Sequence, residues 1–159
     1  PPLLLSFLYN VTGHYAIGFM ALSQVALACF ILVIWMFYQE KLELAGKVID
    51  NTIEGIMITD SKGTIEKVNP AFSAITGYDE TEIIGQTPSL LKSGKQGKNF
   101  YDTMWKSIKD KGHWQGEIWN KKKNGEIYLE WLSITAIKNE GEEVKQYVGM
   151  FSEMKKTVK

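Results

Sequence analysis

The 159-residue chain balances 18 lysines against 18 acidic residues and has no arginine. Zero net charge leaves no electrostatic footprint for a nucleic acid partner, and without guanidinium forks bidentate capture of phosphate or carboxylate is disfavoured. One cysteine, Cys29, and two distant histidines, His14 and His113, exclude an intramolecular disulfide and argue against a zinc site or a histidine-based catalytic set.

Charge divides the chain into two unlike pieces. The first 39 residues contain no Asp, Glu or Lys; all 36 charged residues follow them. Tyr15–Tyr38 is an uncharged run of 24 residues with aromatics at both ends: Tyr15 and Phe19, then Trp35, Phe37 and Tyr38. A bilayer core needs roughly 20 apolar residues in a helix, and aromatic belts belong at its interfaces. The run is therefore expected to be a transmembrane helix, with 1–14 as an extracytoplasmic segment. No basic region precedes it, as a signal peptide would require. Lysines follow the helix (Lys41, Lys47) but do not precede it, so the positive-inside rule puts the C-terminal side in the cytoplasm, beneath a bacterial inner membrane. Asn10-Val11-Thr12 matches a glycosylation sequon and is read as chance. The chain begins Pro-Pro, and the expectation is a fragment of a longer protein.

Residues 39–52 are charged and helix-favouring. Leu42, Ala45 and Ile49 fall at heptad-like spacing. This linker helix reads equally as one strand of a short coiled coil or as an amphipathic helix packed on the domain that follows.

From Ile53 the periodicity changes. Gly55–Thr59 and Thr64–Val68 read as a hairpin around the turn Asp60–Gly63. Asn69-Pro70 starts a short helix that Gly77 closes. Asp79 with Glu82 is a capping-box start for a second. Thr87–Lys98 reads as loop. Phe100, Met104, Trp105 and Ile108 share one face of a helix over Lys98–Lys111. Trp114–Asn120 and Glu126–Ala136 alternate as strands around Asn124-Gly125, and Glu143–Ser152 reads as the fifth strand. Five short strands with helices on one face predict an α+β domain of about 100 residues.

Ile56–Asp60 (IMITD), Val68–Tyr78 (VNPAFSAITGY), Glu82–Gly85 (EIIG), Trp114–Asn120 (WQGEIWN), Lys123–Gly125 (KNG) and Tyr147–Glu153 (YVGMFSE) resemble, in order and spacing, the PAS domain with its PAC motif, over 53–154. The resemblance implies a five-stranded antiparallel sheet holding a pocket under helices, and roles in sensing small ligands, dimerising and relaying signals to an output domain.

Two flavin-binding branches of that family offer comparisons. Light-sensing LOV domains have a cysteine where this chain has Pro88, so adduct photochemistry is excluded. They also have Asn, Asn and Gln where this chain has Asn120, Glu130 and Phe151. Redox-sensing PAS domains that bind FAD carry a motif resembling MW…W.G…N.(K/R)K, which Trp105, Trp114, Gly116, Asn120 and Lys123 fit. An acidic residue of that branch is replaced by Pro88. The same motif occurs in PAS domains that precede cyclic-di-GMP synthases. Three readings stay open: FAD, another small ligand, and a cofactor-free dimerisation module. Haem is disfavoured because Lys98–Lys111 has no histidine.

The expected binding residues are Trp105, Trp114, Ile118, Asn120, Tyr128 and Glu130. A two-residue hairpin loop would put Asn120 on one face with Ile127, Leu129 and Trp131; a three-residue loop puts it with Tyr128 and Glu130. The LOV comparison favours the second register. Trp119, Ile127, Leu129 and Trp131 then form an apolar outer patch, a contact surface for the linker helix or a second subunit. No metal site or catalytic constellation stands out. The expected whole is a membrane-anchored sensor module without catalysis in this fragment. It would homodimerise through the linker helix and outer sheet face. The tail at 155–159 would lead to an output domain, a cyclic-di-GMP synthase or hydrolase, or a histidine kinase.

Overall fold

The computed structural model describes residues 3–12 and 15–155. His14 and the tail residues 156–159 lie outside them, as do the side chains of Tyr15 and Phe19. The chain divides into two units between Lys47 and Val48.

The first unit is helical. Helix α1 covers Leu3–Thr12, and α2 runs unbroken over Tyr15–Asp50. The charged, helix-favouring stretch from residue 39 continues the apolar helix without a break. No proline or glycine lies between Phe30 and Ala45, so nothing interrupts the ladder where the chemistry turns from apolar to charged. Helix α2 is long and apolar enough, by length and composition, to cross a membrane.

The second unit is a five-stranded antiparallel sheet in the order β2-β1-β5-β4-β3. The strands are β1 (Gly55–Asp60), β2 (Ile65–Val68), β3 (His113–Lys121), β4 (Ile127–Lys138) and β5 (Val144–Glu153). Between β2 and β3 come α3 (Pro70–Thr76), α4 (Glu80–Ile83), a 3-10 turn at Pro88–Leu91 and α5 (Lys98–Lys111). The 3-10 turn falls where loop was expected; Pro88 fixes the first position of that turn, and Leu91 is buried in the core.

Local chemistry explains the helix ends. The Asn69 side chain caps α3 and Gly77 ends it at φ 79°. Asn69 does more than cap. Its Oδ1 accepts from the Phe72 and Ile56 amides (2.9 and 2.8 Å), and its Nδ2 donates to the Ile49 and Glu54 carbonyls (3.1 and 2.9 Å). One buried amide thus joins the end of α2, the start of β1 and α3. At Asp79 the backbone amide donates to Glu82, 3.1 Å, in a capping box.

Ile65, Val68, Phe72, Ile83, Leu91, Ile118, Leu132 and Phe151 form the core between sheet and helices. The Phe72 and Phe151 rings meet edge to face at 5.7 Å. Phe151 lies against the backbone of Gly55, where an added Cβ would stand 2.4 Å from the ring.

Candidate functional site

The site is built on the β3–β4 hairpin. Lys121 pairs with Ile127, the Lys122 amide donates to the Glu126 carbonyl, and the Gly125 amide donates back to Lys122. Three residues therefore form the loop, with Gly125 at φ 89°. The Lys123 amide donates to the Thr76 carbonyl and ties the turn to α3. In this register Asn120 pairs with Tyr128 and Ile118 with Glu130. Ile118, Asn120, Tyr128 and Glu130 are all buried, while Trp131 is 44% exposed. The three-residue register expected from the sequence is the one observed.

Under the 3-10 turn and α5, the inner sheet face lines a cavity of about 250 Å³. Met57, Ile118, Leu132, Ile134 and Phe151 make its floor apolar, and Leu91 and Met104 close it from the helical side. Asn120 and Glu130 are its buried polar residues from the hairpin. Asn120 Nδ2 donates to Glu130 Oε1 at 2.8 Å. The Tyr128 hydroxyl lies beside the Glu130 carboxylate and favours its charged form, so these two buried groups serve each other. The buried Tyr101 hydroxyl on the cavity wall has no hydrogen-bond partner among the described residues. Lys62 and Lys92 also contribute to the lining and are exposed.

Electrostatics follow from burial. Glu130 is pushed up to about 7, foremost by desolvation; the Tyr128 hydroxyl and the Asn120 amide pull the other way, and Glu153 adds to the rise. Burial also raises the Tyr128 phenol, aided by the charge of Glu130, and raises Tyr101.

Of the six residues expected to bind, four line the cavity: Trp105, Ile118, Asn120 and Glu130. Trp105 is 46% exposed and stacks edge to face on Tyr147 at 5.5 Å, which places it at the rim. Trp114 and Tyr128 are absent from the cavity wall. Trp114 faces inward but meets Phe100 at 5.7 Å, so α5 covers it. Tyr128 lies two residues beyond Glu130 on the same strand face, towards the turn, with Lys122 Nζ 5.3 Å from its ring centre. Alternation identified the face of each residue but not its position along the strand. Tyr101, Lys62 and Lys92 line the cavity without having been anticipated. Tyr101 could have been found from its spacing to Met104 and Trp105 on α5; nothing local marks the two lysines.

The outer face differs at Trp119. It is half-buried rather than part of an open patch. The Ser93 hydroxyl donates to the Trp119 carbonyl (2.6 Å), Lys92 bridges to Asn120, and Lys95 Nζ sits 3.7 Å over the Trp119 ring. The segment before α5 thereby covers part of the free edge of β3.

A five-stranded antiparallel sheet of this order, with short helices over one face, is the fold of PAS-type sensor domains. The profile of the PAS domain family matches residues 53–155, and the chain belongs to that family. It is 30% identical over 103 residues to the nitrogen fixation regulatory protein of Klebsiella oxytoca, covering 65% of this chain and 21% of that protein. It thus spans about a fifth of that relative. It is also 63% identical over 43 residues to the nitrite extrusion protein of Bacillus subtilis strain 168, covering 27% of this chain and 11% of that protein. Among solved structures, a PAS domain of a Colwellia psychrerythraea protein superposes with a TM-score of 0.67 at 23% identity, covering 71% of this chain and 96% of that one. A light-oxygen-voltage domain studied with a flavin analogue gives 0.62 at 18% identity, covering 69% and 84%. Pro88, Asn120, Glu130 and Phe151, the positions compared above with light-sensing relatives, all line the one cavity.

Proposed function

We propose that this chain is a membrane-anchored PAS sensor whose cavity takes a flavin, FAD in the first instance, and whose occupancy is relayed to an attached output. The observation behind this reading is the buried Asn120–Glu130 pair, joined at 2.8 Å, on a mainly apolar cavity wall. Asn120 and Glu130 would meet the polar edge of the ring, and Trp105 would cover it at the rim. Lys62 and Lys92 would suit phosphates outside. Bound flavin would supply redox chemistry; Pro88 in place of a thiol leaves no group for a covalent adduct on this wall. The domain is a binder, with no catalytic step of its own. An absorbance scan tests it: bands near roughly 370 and 450 nm, which belong to the cofactor, are expected after reconstitution with FAD. A colourless domain that retains no added FAD would remove this reading.

The identity to a nitrite extrusion protein over 43 residues supports the anchor. The PAS match accounts for 53–155, so the apolar stretch before it is the one that suits a transporter. On this reading the PAS domain lies on the cytoplasmic side of an inner membrane and reports to a transporter-type membrane body. An output of the cyclic-di-GMP or histidine-kinase type beyond Lys159 is the other destination. Reporter fusions at Lys159 distinguish the sidedness: a cytoplasmic reporter active and a periplasmic one silent is the expected pair.

A second reading, a cofactor-free dimerisation module, is favoured by the outer sheet face, where Ile127 is 42% and Trp131 44% exposed beside the half-buried Leu129.

A further inference from the structure

We infer that α3 is the link through which the cavity signals to helix α2: Asn69 at one end holds the last turn of α2, Thr76 at the other holds the β3–β4 hairpin, and occupancy of the cavity is passed back along this short helix. This rests on the sensor reading of the same cavity and names the direction in which its signal leaves.

An N-cap needs one side-chain oxygen, which Ser or Asp supplies as well as Asn. Asn69 Oδ1 does that work for the Phe72 amide and accepts from Ile56 as well. The side-chain nitrogen is not needed for capping. Both of its N–H groups go to backbone carbonyls, those of Ile49 in the last turn of α2 and Glu54 before β1. Asn69 is 1% exposed, and its two donors and two lone pairs are all engaged. The last turn of α2 therefore cannot rotate or shift without carrying Asn69 along or stranding a buried amide. Val48 to Asp50 belong to the same unit as the sheet, and the helix continues unbroken from them to its apolar part.

The other end of α3 is tied as firmly. Thr76 is fully buried, and its carbonyl accepts from the Lys123 amide at 2.9 Å. A Cβ at Gly77 would stand 3.6 Å from that of Lys123, so the hairpin turn packs on the end of the helix. That hairpin carries Asn120 and Glu130 into the cavity. Midway, the Phe72 ring meets Phe151 of the cavity wall edge to face at 5.7 Å. A helix of seven residues, about 10 Å long, thus meets cavity-bearing elements at two points and α2 at a third. Packed this closely, it moves as a body.

Cutting either end should be felt at the other, because coupling is reciprocal. The readout is hydrogen exchange of the full chain in detergent micelles, followed by mass spectrometry. Lys123 is the second residue of a turn closed from Gly125 to Lys122, a position that suits proline, so Lys123→Pro removes the amide that reaches Thr76 and keeps the turn. Amides over 48–52 are expected to exchange at least about fivefold faster in this variant, the low end of couplings between sites. Lys123→Ala loses only the ion pair with Glu82 and should leave them unchanged. Asn69→Asp keeps the accepting oxygens, loses both donors, and should speed exchange over 122–125 by a similar factor. The amides of Gly63 and Thr64, held by Asp60 in the β1–β2 turn, are the reference. Acceleration that stays at the cut end, that reaches the reference equally, or that Lys123→Ala reproduces overturns the inference. Should Asn69→Asp fail to fold, Lys123→Pro decides alone. FAD is then added. Binding that alters exchange over 48–52 in the wild type, but not in Lys123→Pro, supports both the link and the flavin reading. Binding without any change there overturns the link and leaves the flavin reading standing. If FAD does not bind, the flavin reading falls and the variants decide the link by themselves.

Discussion

Glu130→Gln should make the PAS unit more stable at pH 8 and change it little at pH 5. The carboxyl titrates at about 7 in the fold and at 4.5 in its ordinary state. Between those values the folded state holds a proton that the unfolded chain has released. Stability therefore falls as pH rises from 4.5 through 7 and levels off above it. A shift of 7 − 4.5 = 2.5 corresponds to about 3 kcal/mol, most of which falls between pH 5 and pH 8. Glutamine keeps an oxygen to accept from Asn120 Nδ2 and cannot ionise. Its difference from the wild type should therefore open by roughly 2–3 kcal/mol over that interval. The facing charge to consider is Glu153, which pairs with Glu130 across β4 and β5 and is itself held by Lys122 at 3.1 Å. The assay is urea unfolding of Val48–Lys159, which has its own core, followed by tryptophan fluorescence with a common slope. A wild-type-to-variant gap that is the same at pH 5 and pH 8 would refute the burial argument.

Other substitutions follow from the packing. Asn69→Ala removes a helix cap and strands the buried amide of Ile56, together costing roughly 3 kcal/mol by urea unfolding; a loss under 1 kcal/mol would mean that water replaces the side chain. Gly55→Ala pushes on the Phe151 ring and should cost about 1–3 kcal/mol while weakening ligand binding, because Phe151 is also cavity wall. Trp131→Glu should leave monomer stability within about 0.5 kcal/mol and lower the mass seen by light scattering if the outer face joins two copies. An unchanged mass would assign dimerisation, if present, to another surface.

Much of the fold was legible because local signals agreed. The capping box at Asp79, the N-cap at Asn69, the apolar face of α5 and the two alternating strands each pointed to the element that forms. The loop length around Gly125 decided the register, and with it the inward placement of Asn120 and Glu130. What stayed hidden depends on contacts distant in sequence. The three further hydrogen bonds of Asn69 reach 13 to 20 residues away, or join α3 to β1, and no local pattern encodes them. Trp114 had the right face, but only the position of α5 decides that Phe100 rather than the cavity meets it. Trp119 looked like part of an open patch because Ser93 and Lys95 approach from a segment with no periodicity.

Glu130 stands opposite Glu153, the last residue of β5, and Lys122 holds Glu153 and Glu126 from the turn of the same hairpin. The deepest acid of the cavity and the point where the chain leaves the sheet are therefore one strand spacing apart. No helix has to move for one to sense the other. On the proposed sensor reading, an occupant that neutralised Glu130 would change the field at the departing backbone from one strand spacing away.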